Sequence, residues 1–353
     1  MAARRRTAGA CLAVSELAEV LSAWDFVGDA RVDPLTSGLI NQSFAVSVDA
    51  TPVAVVQRVN TDVFSPLVHY DIEAVTARLA QAGLPTPRLI RTRSGSLWHT
   101  DASGGVWRAL TPVGDRTVER VTSPAQAASA AALVARVHDA LADFDWAFQS
   151  VRVGAQDTER HLANLAVALR EHVDHPLHSQ VAPLADWLME RWERAERVGE
   201  LPSRVIHGDL KISNVRFAGE RAHALIDLDT FARSTLEVEL GDALRSWCNT
   251  SSEADPASRF DAEIAEAALR AYAAASTSLR AGEVEAVLSG VARITLNLVA
   301  RFAADALQER YFGWDAARYS SRGAHNLARA TGQAALLRSV DEQVPALRAR
   351  VRS

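Results

Sequence analysis

The spacing of apolar residues changes once along the chain, near residue 112, and this change constrains the fold more than any other feature. Before it, short β-type runs alternate with helical segments at 15–26 and 71–82. After it, long Ala-rich segments have helical spacing, and one β-rich island at 205–230 interrupts them. The pattern predicts a sheet part followed by a helical part. The helices expected in the second part are 124–141, 157–172, 179–197, 261–277, 283–312 and 323–339.

The first part predicts a small antiparallel sheet with one helix against it. Residues 44–48 and 53–59 are β-rich runs separated by turn-forming residues, which is typical of a hairpin. The helix at 71–82 ends at Gly83, with Pro85 and Pro87 just beyond it. We therefore expect a flexible arm at 1–14, a sheet lobe at 15–112 and a helical lobe at 113–353, which together make a bilobal α+β chain.

Composition excludes several classes of protein. The 353 residues allow two domains at about 150 residues each. With 48% apolar residues, 23% charged residues and a net charge of −5, the chain is typical of a globular protein without a nucleic-acid partner. Cys11 and Cys248 are too few for a disulfide framework or a zinc cage. Because no run of 18 apolar residues is free of charge, we expect no membrane partner and a cytoplasmic location.

The β-rich island carries the residues that point to chemistry. Its first loop places Asp209 five residues before Asn214, and Asp227 follows thirteen residues later, after a hairpin. Phosphoryl transfer needs a group that takes the proton of the acceptor hydroxyl, and hard oxygen ligands for Mg²⁺. Asp209 suits the first role, and Asn214 with Asp227 suits the second. The loop reads His207-Gly208-Asp209-Leu210-Lys211-Ile212-Ser213-Asn214.

Lys211 is the single lysine among 38 basic residues, and the other 37 are arginines. Lysine presents a compact ammonium, whereas arginine presents a planar guanidinium, so the two groups meet a phosphate differently. Lys211 lies two residues after Asp209, and we expect it to offset the charge that develops on the transferred phosphate.

These residues resemble the catalytic loop and the metal-binding aspartate of the aminoglycoside phosphotransferase-like kinases, which are relatives of the protein kinases. The stretch from Gly38 to Phe44, with Gly38 and Asn41, resembles the loop with which that family positions a nucleotide, and Glu73 resembles an acid of its bracing helix. The resemblance implies a protein-kinase-like fold, ATP and Mg²⁺ as cofactors, and a small-molecule hydroxyl as the acceptor.

The chain departs from the kinase pattern on its third strand, where a lysine normally holds the α- and β-phosphates. This strand has Gln57 and Arg58, which alternation places on opposite faces of the sheet. We favour Arg58, paired with Glu73, as the nucleotide-binding cation, because a buried guanidinium needs a partner. Gln57 is the alternative, and it would leave phosphate anchoring at this position uncharged.

Further stretches resemble the N-acetylhexosamine 1-kinases of the same family, which favours the anomeric hydroxyl of an amino sugar as the acceptor. On this basis Asp229, Arg301, Asp305 and Tyr311 are candidate substrate contacts. Asp229 could instead bind a second metal, and Arg301 with Asp305 could be an ordinary pair within a helix. The alternatives for function are an aminoglycoside-, choline- or amino-alcohol-type phosphotransferase and a catalytically silent nucleotide-binding pseudokinase. The stretches that resemble the N-acetylhexosamine 1-kinases are 57–64, 226–230 with 241–245, and 301–302 through 311–312 to 325–327.

Overall fold

The chain forms two compact units, and we refer to them as the sheet unit and the helical unit. The sheet unit comprises the residues up to Ala74 and Pro87–Pro112, and the helical unit comprises Val75–Thr86 and Val113–Ser353. Residues 1–13, which make up most of the predicted arm, lie outside the described residues. The structure, a computed structural model, describes residues 14–35, 40–151, 154, 156–196 and 198–352.

The sheet unit is built on an antiparallel sheet whose strands lie in the order β1-β2-β3-β6-β4, and β5 also pairs with β6. The predicted hairpin is present as β2 and β3, joined by a tight turn at Asp49 and Ala50. The helix α2 begins in this unit, and its later turns are assigned to the helical unit. The elements are α1 (Val14–Leu21), β1 (Ala30–Leu35), β2 (Gln42–Val48), β3 (Thr51–Val59), α2 (Val68–Gln81), β4 (Leu89–Ile90), β5 (His99–Thr100) and β6 (Val106–Leu110).

One face of this sheet is the apolar core of the unit. Val46, Val56 and Trp107 point to this face and pack with Val20 of α1 and with Trp24. Because side chains alternate along a strand, the other face receives residues 55 and 57 of β3 and residues 106 and 108 of β6. The two faces of β3 therefore differ in their surroundings: Arg58 points to the face of Trp107, and Gln57 points to the opposite face.

The helical unit has the predicted helices, with several shifted ends. The sequence also predicts a helix that begins near Ala243 with Asp242 as its N-cap. The helix instead begins at Leu236, so Asp242 lies inside it and not at its start. The last helix continues to Arg352 and not to residue 339. The helices are α3 (Pro124–Ala140), α4 (Thr158–Glu171), α5 (His178–Glu193), α6 (Leu236–Trp247), α7 (Ala262–Ala275), α8 (Glu283–Gln308) and α9 (Arg322–Arg352).

The helix α8 lies at the centre of the helical unit. It packs on α4, α5, α6 and α9, and its residues Leu296, Val299 and Phe302 contribute to the main apolar cluster. By length and composition α8 could cross a membrane, but most of its apolar stretch is buried inside the unit. We therefore interpret α8 as the core helix of a folded domain.

Short strands in the helical unit hold the β-rich island in place. One two-stranded sheet pairs β8 with β11, and a separate three-stranded sheet has the order β10-β9-β7. These strands are β7 (Arg116–Thr117), β8 (Ser203–Ile206), β9 (Val215–Ala218), β10 (Arg221–Leu225) and β11 (Ala232–Thr235).

Candidate active site

Strand pairing brings together two loops that are separated in sequence. The loop 207–214 connects β8 to β9, and the loop 226–231 connects β10 to β11. Because β8 pairs with β11 and β9 pairs with β10, the loops leave the strands side by side. The backbone N–H of Ile226 donates to the carbonyl of Asn214 at 2.9 Å, which ties the loops directly to each other.

Four of the predicted site residues converge where these loops meet. The Lys211 Nζ lies 3.1 Å from Asp209 Oδ2 and 4.0 Å from Asp227 Oδ2. The Asn214 amide nitrogen donates to the Asp209 backbone carbonyl at 2.8 Å and to Asp209 Oδ2 at 3.0 Å. The sequence spacing thus places two carboxylates, one amide and one ammonium in a single polar cluster.

Two backbone conformations shape this cluster. Gly208 has φ of +80°, and a Cβ at this position would lie 2.6 Å from the Thr230 carbonyl oxygen. Asp227 has φ of 62° and ψ of 58°, a left-handed conformation that is unusual for a residue with a side chain. Residues held in such conformations cluster at functional sites, where the surrounding structure maintains the strain.

The charges in the cluster influence each other. Burial raises the pKa of Asp227, and the neighbouring carboxylates of Asp229 and Asp209 raise it further, while Lys211 opposes this. Burial lowers the pKa of Lys211, but the charges of Asp209 and Asp227 outweigh this effect and raise its pKa overall. The ammonium therefore stays charged, and the crowded carboxylates favour the binding of a further cation.

The donor set fits a magnesium ion held together with a nucleotide. Mg²⁺ is usually bound through one or two carboxylates and the substrate phosphates, and it keeps several waters. Because the Asn214 nitrogen donates to Asp209, its amide oxygen is the atom that suits a metal, beside the Asp227 carboxylate. Among the residues described, no group of three or more His, Cys, Asp or Glu side chains is arranged to hold a metal by itself. A metal here would therefore need the amide and the phosphates.

The loop 207–214 has supports that the sequence did not reveal. Glu239 of α6 is 1% exposed, and its two oxygens accept the backbone N–H groups of His207 at 2.7 Å and Gly208 at 2.9 Å. His138 of α3 lies 3.3 Å from Glu239 and contacts the Tyr272 hydroxyl at 2.8 Å. These hydrogen bonds lower the pKa of Glu239 although burial opposes them. Nothing in the run Leu236-Glu237-Val238-Glu239 distinguishes the second acid from the first.

Two further contacts hold the loop. His207 braces it, because its Nε2 lies 2.9 Å from the Ile226 carbonyl and its backbone carbonyl accepts the Thr230 hydroxyl at 2.7 Å. Trp247, at the end of α6, donates its indole N–H to the Leu210 carbonyl at 2.6 Å. Asp229 lies in the short turn after Asp227 and is 1% exposed.

In the sheet unit, the structure corrects the predicted pair of Arg58 and Glu73. Glu73 pairs with Arg91 at 3.0 Å. Arg58 lies over the ring of Trp107, 5.8 Å from its centroid, on the face that forms the apolar core. Strand alternation is the reason, since Arg58 is the register partner of Trp107.

The sheet unit contains further residues that the sequence predicts to bind a nucleotide. Asn41 is 7% exposed, and its side-chain oxygen accepts the backbone N–H of Asn60 at 3.0 Å, which joins the start of β2 to the end of β3. Gly38 lies outside the described residues. Gln57 points to the face opposite Arg58, and its amide donates to the Ser43 hydroxyl at 2.9 Å.

The predicted acceptor residues divide into two kinds. Arg301 lies over the rings of Tyr311 and Phe312, at 5.8 and 5.4 Å, and Tyr311 is 53% exposed. Asp305 is 2% exposed and organises the turn after α8. Its oxygens accept the backbone N–H groups of residues 310, 311 and 312 at 2.8–2.9 Å, and the Asn326 amide at 2.8 Å. Asp305 thus holds the segment that presents Tyr311.

Homoserine kinases are among the proteins whose sequences are similar to this chain. The chain is similar to a homoserine kinase of Nitrobacter winogradskyi, 29% identical over 64% of this chain and 62% of that protein. It is also similar to one of Nitrobacter hamburgensis, 25% identical over 83% of this chain and 82% of that one. The chain spans less than two thirds of the length of the first of these relatives.

Solved structures show the fold. An amicoumacin kinase in complex with AMP-PNP and Ca²⁺ has a TM-score of 0.63 at 14% identity, covering 93% of this chain and 92% of that one. A microcompartment-associated aminopropanol kinase has a TM-score of 0.62 at 15% identity, covering 96% and 100%. The predicted protein-kinase-like fold, with an antiparallel sheet followed by a helical region, is confirmed.

The sequence profile of the phosphotransferase enzyme family, APH, matches residues 31–281, which is most of the chain and includes both loops of the site. With the convergence of Asp209, Lys211, Asn214 and Asp227, this match assigns the protein: it belongs to the APH phosphotransferase family.

Proposed function

We propose that the protein transfers the γ-phosphoryl group of ATP to a hydroxyl of a small molecule in the presence of Mg²⁺. The observation that carries the proposal is the convergence of four side chains: Lys211 Nζ lies 3.1 Å from Asp209 and 4.0 Å from Asp227, and the Asn214 amide donates to Asp209 at 3.0 Å. This set contains the groups that phosphoryl transfer requires, which are a proton acceptor, oxygen ligands for the metal and a cation.

Each residue has a specific role in this proposal. Asp209 accepts the proton of the attacking hydroxyl while the new O–P bond forms and the bond between the γ-phosphorus and ADP breaks. Lys211, held between two carboxylates, offsets the negative charge of the transferred group. Asn214 and Asp227 would hold Mg²⁺, which neutralises charge on the β- and γ-phosphate oxygens.

For the acceptor, we favour the anomeric hydroxyl of an N-acetylhexosamine. The three stretches of resemblance support it, and so does the position of Arg301 beside the exposed ring of Tyr311. The helix α6, whose Glu239 holds the catalytic loop, packs on α8, which carries Arg301. Asp305 contributes by holding the segment of Tyr311, and Asp229 by its place next to Asp227.

Homoserine is the second candidate acceptor, because the relatives at 25–29% identity are homoserine kinases. An amino sugar has several neutral hydroxyls, whereas homoserine has an ammonium and a carboxylate beside one hydroxyl.

A single assay distinguishes these two candidate acceptors. The protein is incubated with MgATP and a pool of amino sugars, sugars, amino alcohols and hydroxy amino acids, and mass spectrometry identifies the compound that gains a phosphate. Phosphorylation of homoserine alone would reject the amino sugar.

Asp209→Asn tests whether the protein is an enzyme. We expect kcat to fall by roughly 10²–10⁴-fold, because the amide cannot accept the proton, while MgATP affinity stays within a few-fold. Asp186→Asn, at an exposed position of α5, is the matched control. Equal turnover by wild type and Asp209→Asn would remove Asp209 from catalysis. A wild type that binds MgATP but phosphorylates no acceptor would favour the pseudokinase.

Arg301→Ala tests the acceptor site. Because Arg301 lies beside Tyr311 and not in the loops that hold the nucleotide, we expect the acceptor KM to rise at least tenfold and the ATP KM to stay within twofold. Arg310→Ala, an exposed arginine of the same turn, should change neither. Equal changes in both KM values would show that Arg301 acts on the fold and not on the acceptor.

A further inference from the structure

A row of polar side chains crosses the middle of the sheet unit. Ser43, Gln57 and Arg108 are register partners on β2, β3 and β6. The Gln57 amide nitrogen donates to the Ser43 hydroxyl at 2.9 Å, and the Gln57 amide oxygen accepts from Arg108 Nε at 2.8 Å. Both ends of the Gln57 amide are therefore fixed, so its orientation in the sheet is set by its two neighbours.

The row changes in burial from one end to the other. Arg108 is 1% exposed, whereas Gln57 and Ser43 are partly exposed. The charge of the row is thus inside the sheet unit, and the amide and the hydroxyl are the groups that a ligand can reach. Ser43 also lies two residues after Asn41, in the stretch that resembles a nucleotide-positioning loop.

This row lies where the kinase pattern requires a cation. Protein kinases hold the α- and β-phosphates with a lysine on the third strand, and here β3 has Gln57 on one face and Arg58 on the other, against Trp107. Arg108 is on the neighbouring strand and on the face of Gln57. A guanidinium stays charged at all ordinary pH values, and the hydrogen bond from Arg108 Nε to the Gln57 amide oxygen joins this cation directly to the third strand.

We propose that Arg108 supplies, through Gln57, the positive charge that the third-strand lysine provides in other kinases, and so favours binding of the phosphates of a nucleoside di- or triphosphate. In this proposal Gln57 and Ser43 contact the phosphates, and Arg108 is a positioning residue that orients the Gln57 amide and adds its field. The proposal rests on the proposed function, since it needs a nucleotide in the sheet unit.

The first test compares nucleotides with and without phosphates in the full-length protein. Binding of MgATP, MgADP and adenosine is measured by calorimetry for wild type, Arg108→Met and Gln57→Met. We expect both variants to bind MgATP and MgADP at least tenfold more weakly and adenosine within twofold. A purely structural role of the row would weaken adenosine together with the nucleotides, or weaken neither, and either result would overturn the proposal.

The control is Arg58→Met, which removes a guanidinium from the other face of the same strand. It should leave MgATP affinity within twofold, although it removes the contact with Trp107. A loss equal to that of Arg108→Met would show that general charge in the sheet unit is responsible, and it would contradict a specific role for Arg108.

The second test moves the cation back to the third strand. In the Arg108→Met background, Gln57→Lys should recover most of the MgATP affinity, because a lysine then takes the place that it has in other kinases. Failure of Gln57→Lys to improve MgATP binding would overturn the proposal.

Arg108 is buried, so Arg108→Met could fail to fold. Gln57→Met, at a partly exposed position, then decides alone, and unchanged MgATP affinity would reject the row as a phosphate site. Wild type that does not bind MgATP at all would instead reject the proposed function.

Discussion

At the scale of single residues, the site depends on backbone conformations as much as on side chains. Gly208 has φ of +80° and lies against the Thr230 carbonyl, and this contact fixes the direction of the loop just before Asp209. Asp227 keeps a left-handed conformation in spite of its side chain, so the fold holds the carboxylate in place at some cost in backbone energy. Both features become visible only in the structure.

Gly208→Ala tests the close approach of the two loops. Gly95 has nearly the same φ, +82°, but nothing lies within 4 Å of the position of its Cβ. We expect Gly95→Ala to lower the free energy of unfolding by about 1 kcal/mol, and Gly208→Ala to lower it by about 3 kcal/mol because it adds a clash. Urea unfolding measures both. Equal losses would show that the loop can move away from Thr230, and kcat should fall only in Gly208→Ala.

At the scale of elements, α6 is the main support of the loop 207–214. Its three contacts with the loop come from Glu239, in the first turn of the helix, and from Trp247, at its end. The sequence predicts a start near Ala243 with Asp242 as the cap, whereas the helix begins at Leu236, directly after β11 and without a side-chain cap. Its stability comes from packing on α8, which agrees with the rule that most helices depend on tertiary contacts.

Glu239→Gln tests this support. The amide replaces one acceptor oxygen with a donor that faces the N–H groups of His207 and Gly208, so we expect a loss of about 1–3 kcal/mol in the free energy of unfolding. We also expect kcat to fall by at least tenfold, with the ATP KM nearly unchanged. Glu237→Gln is the matched control on the same helix, since Glu237 pairs with Arg293 and not with the loop. A similar loss of kcat in both variants would contradict a specific support by Glu239.

At the scale of the whole molecule, the chain combines a sheet unit and a helical unit, and each contributes separate groups to the proposed reaction. The cluster of Asp209, Lys211, Asn214 and Asp227 belongs to the helical unit, and the Ser43–Gln57–Arg108 row belongs to the sheet unit. Variants in the two units therefore change different groups, although both sets of tests measure the binding of MgATP.

MgATP should stabilise the protein against heat. A ligand present at 100 times its Kd adds about 2.7 kcal/mol to the free energy of unfolding, so we expect Tm to rise by several degrees. Chelation of the metal should remove most of this rise. In Asp227→Asn the part of the rise that depends on magnesium should be lost, whereas Asp186→Asn should behave as wild type. A magnesium-dependent rise that persists in Asp227→Asn would remove Asp227 as a metal ligand.

The sequence by itself was sufficient for the local features. The alternation of β2 and β3 predicted the hairpin, the spacing of apolar residues predicted most helices to within a few residues, and the offsets of Asp209, Asn214 and Asp227 predicted that these side chains lie close together. These features depend on residues that are close in the chain, or on a motif whose spacing fixes the geometry.

Only the tertiary structure decided which distant residues act together. Arg108 meets Gln57 from 51 positions away, and Glu239 meets His207 from 32 positions away. The predicted pair of Arg58 and Glu73 was wrong, because the choice of the core face of β3 depends on Trp107, which comes from another strand. Alternation assigns neighbouring residues of a strand to opposite faces of the sheet. Only the packing of the rest of the chain determines which of the two faces is buried.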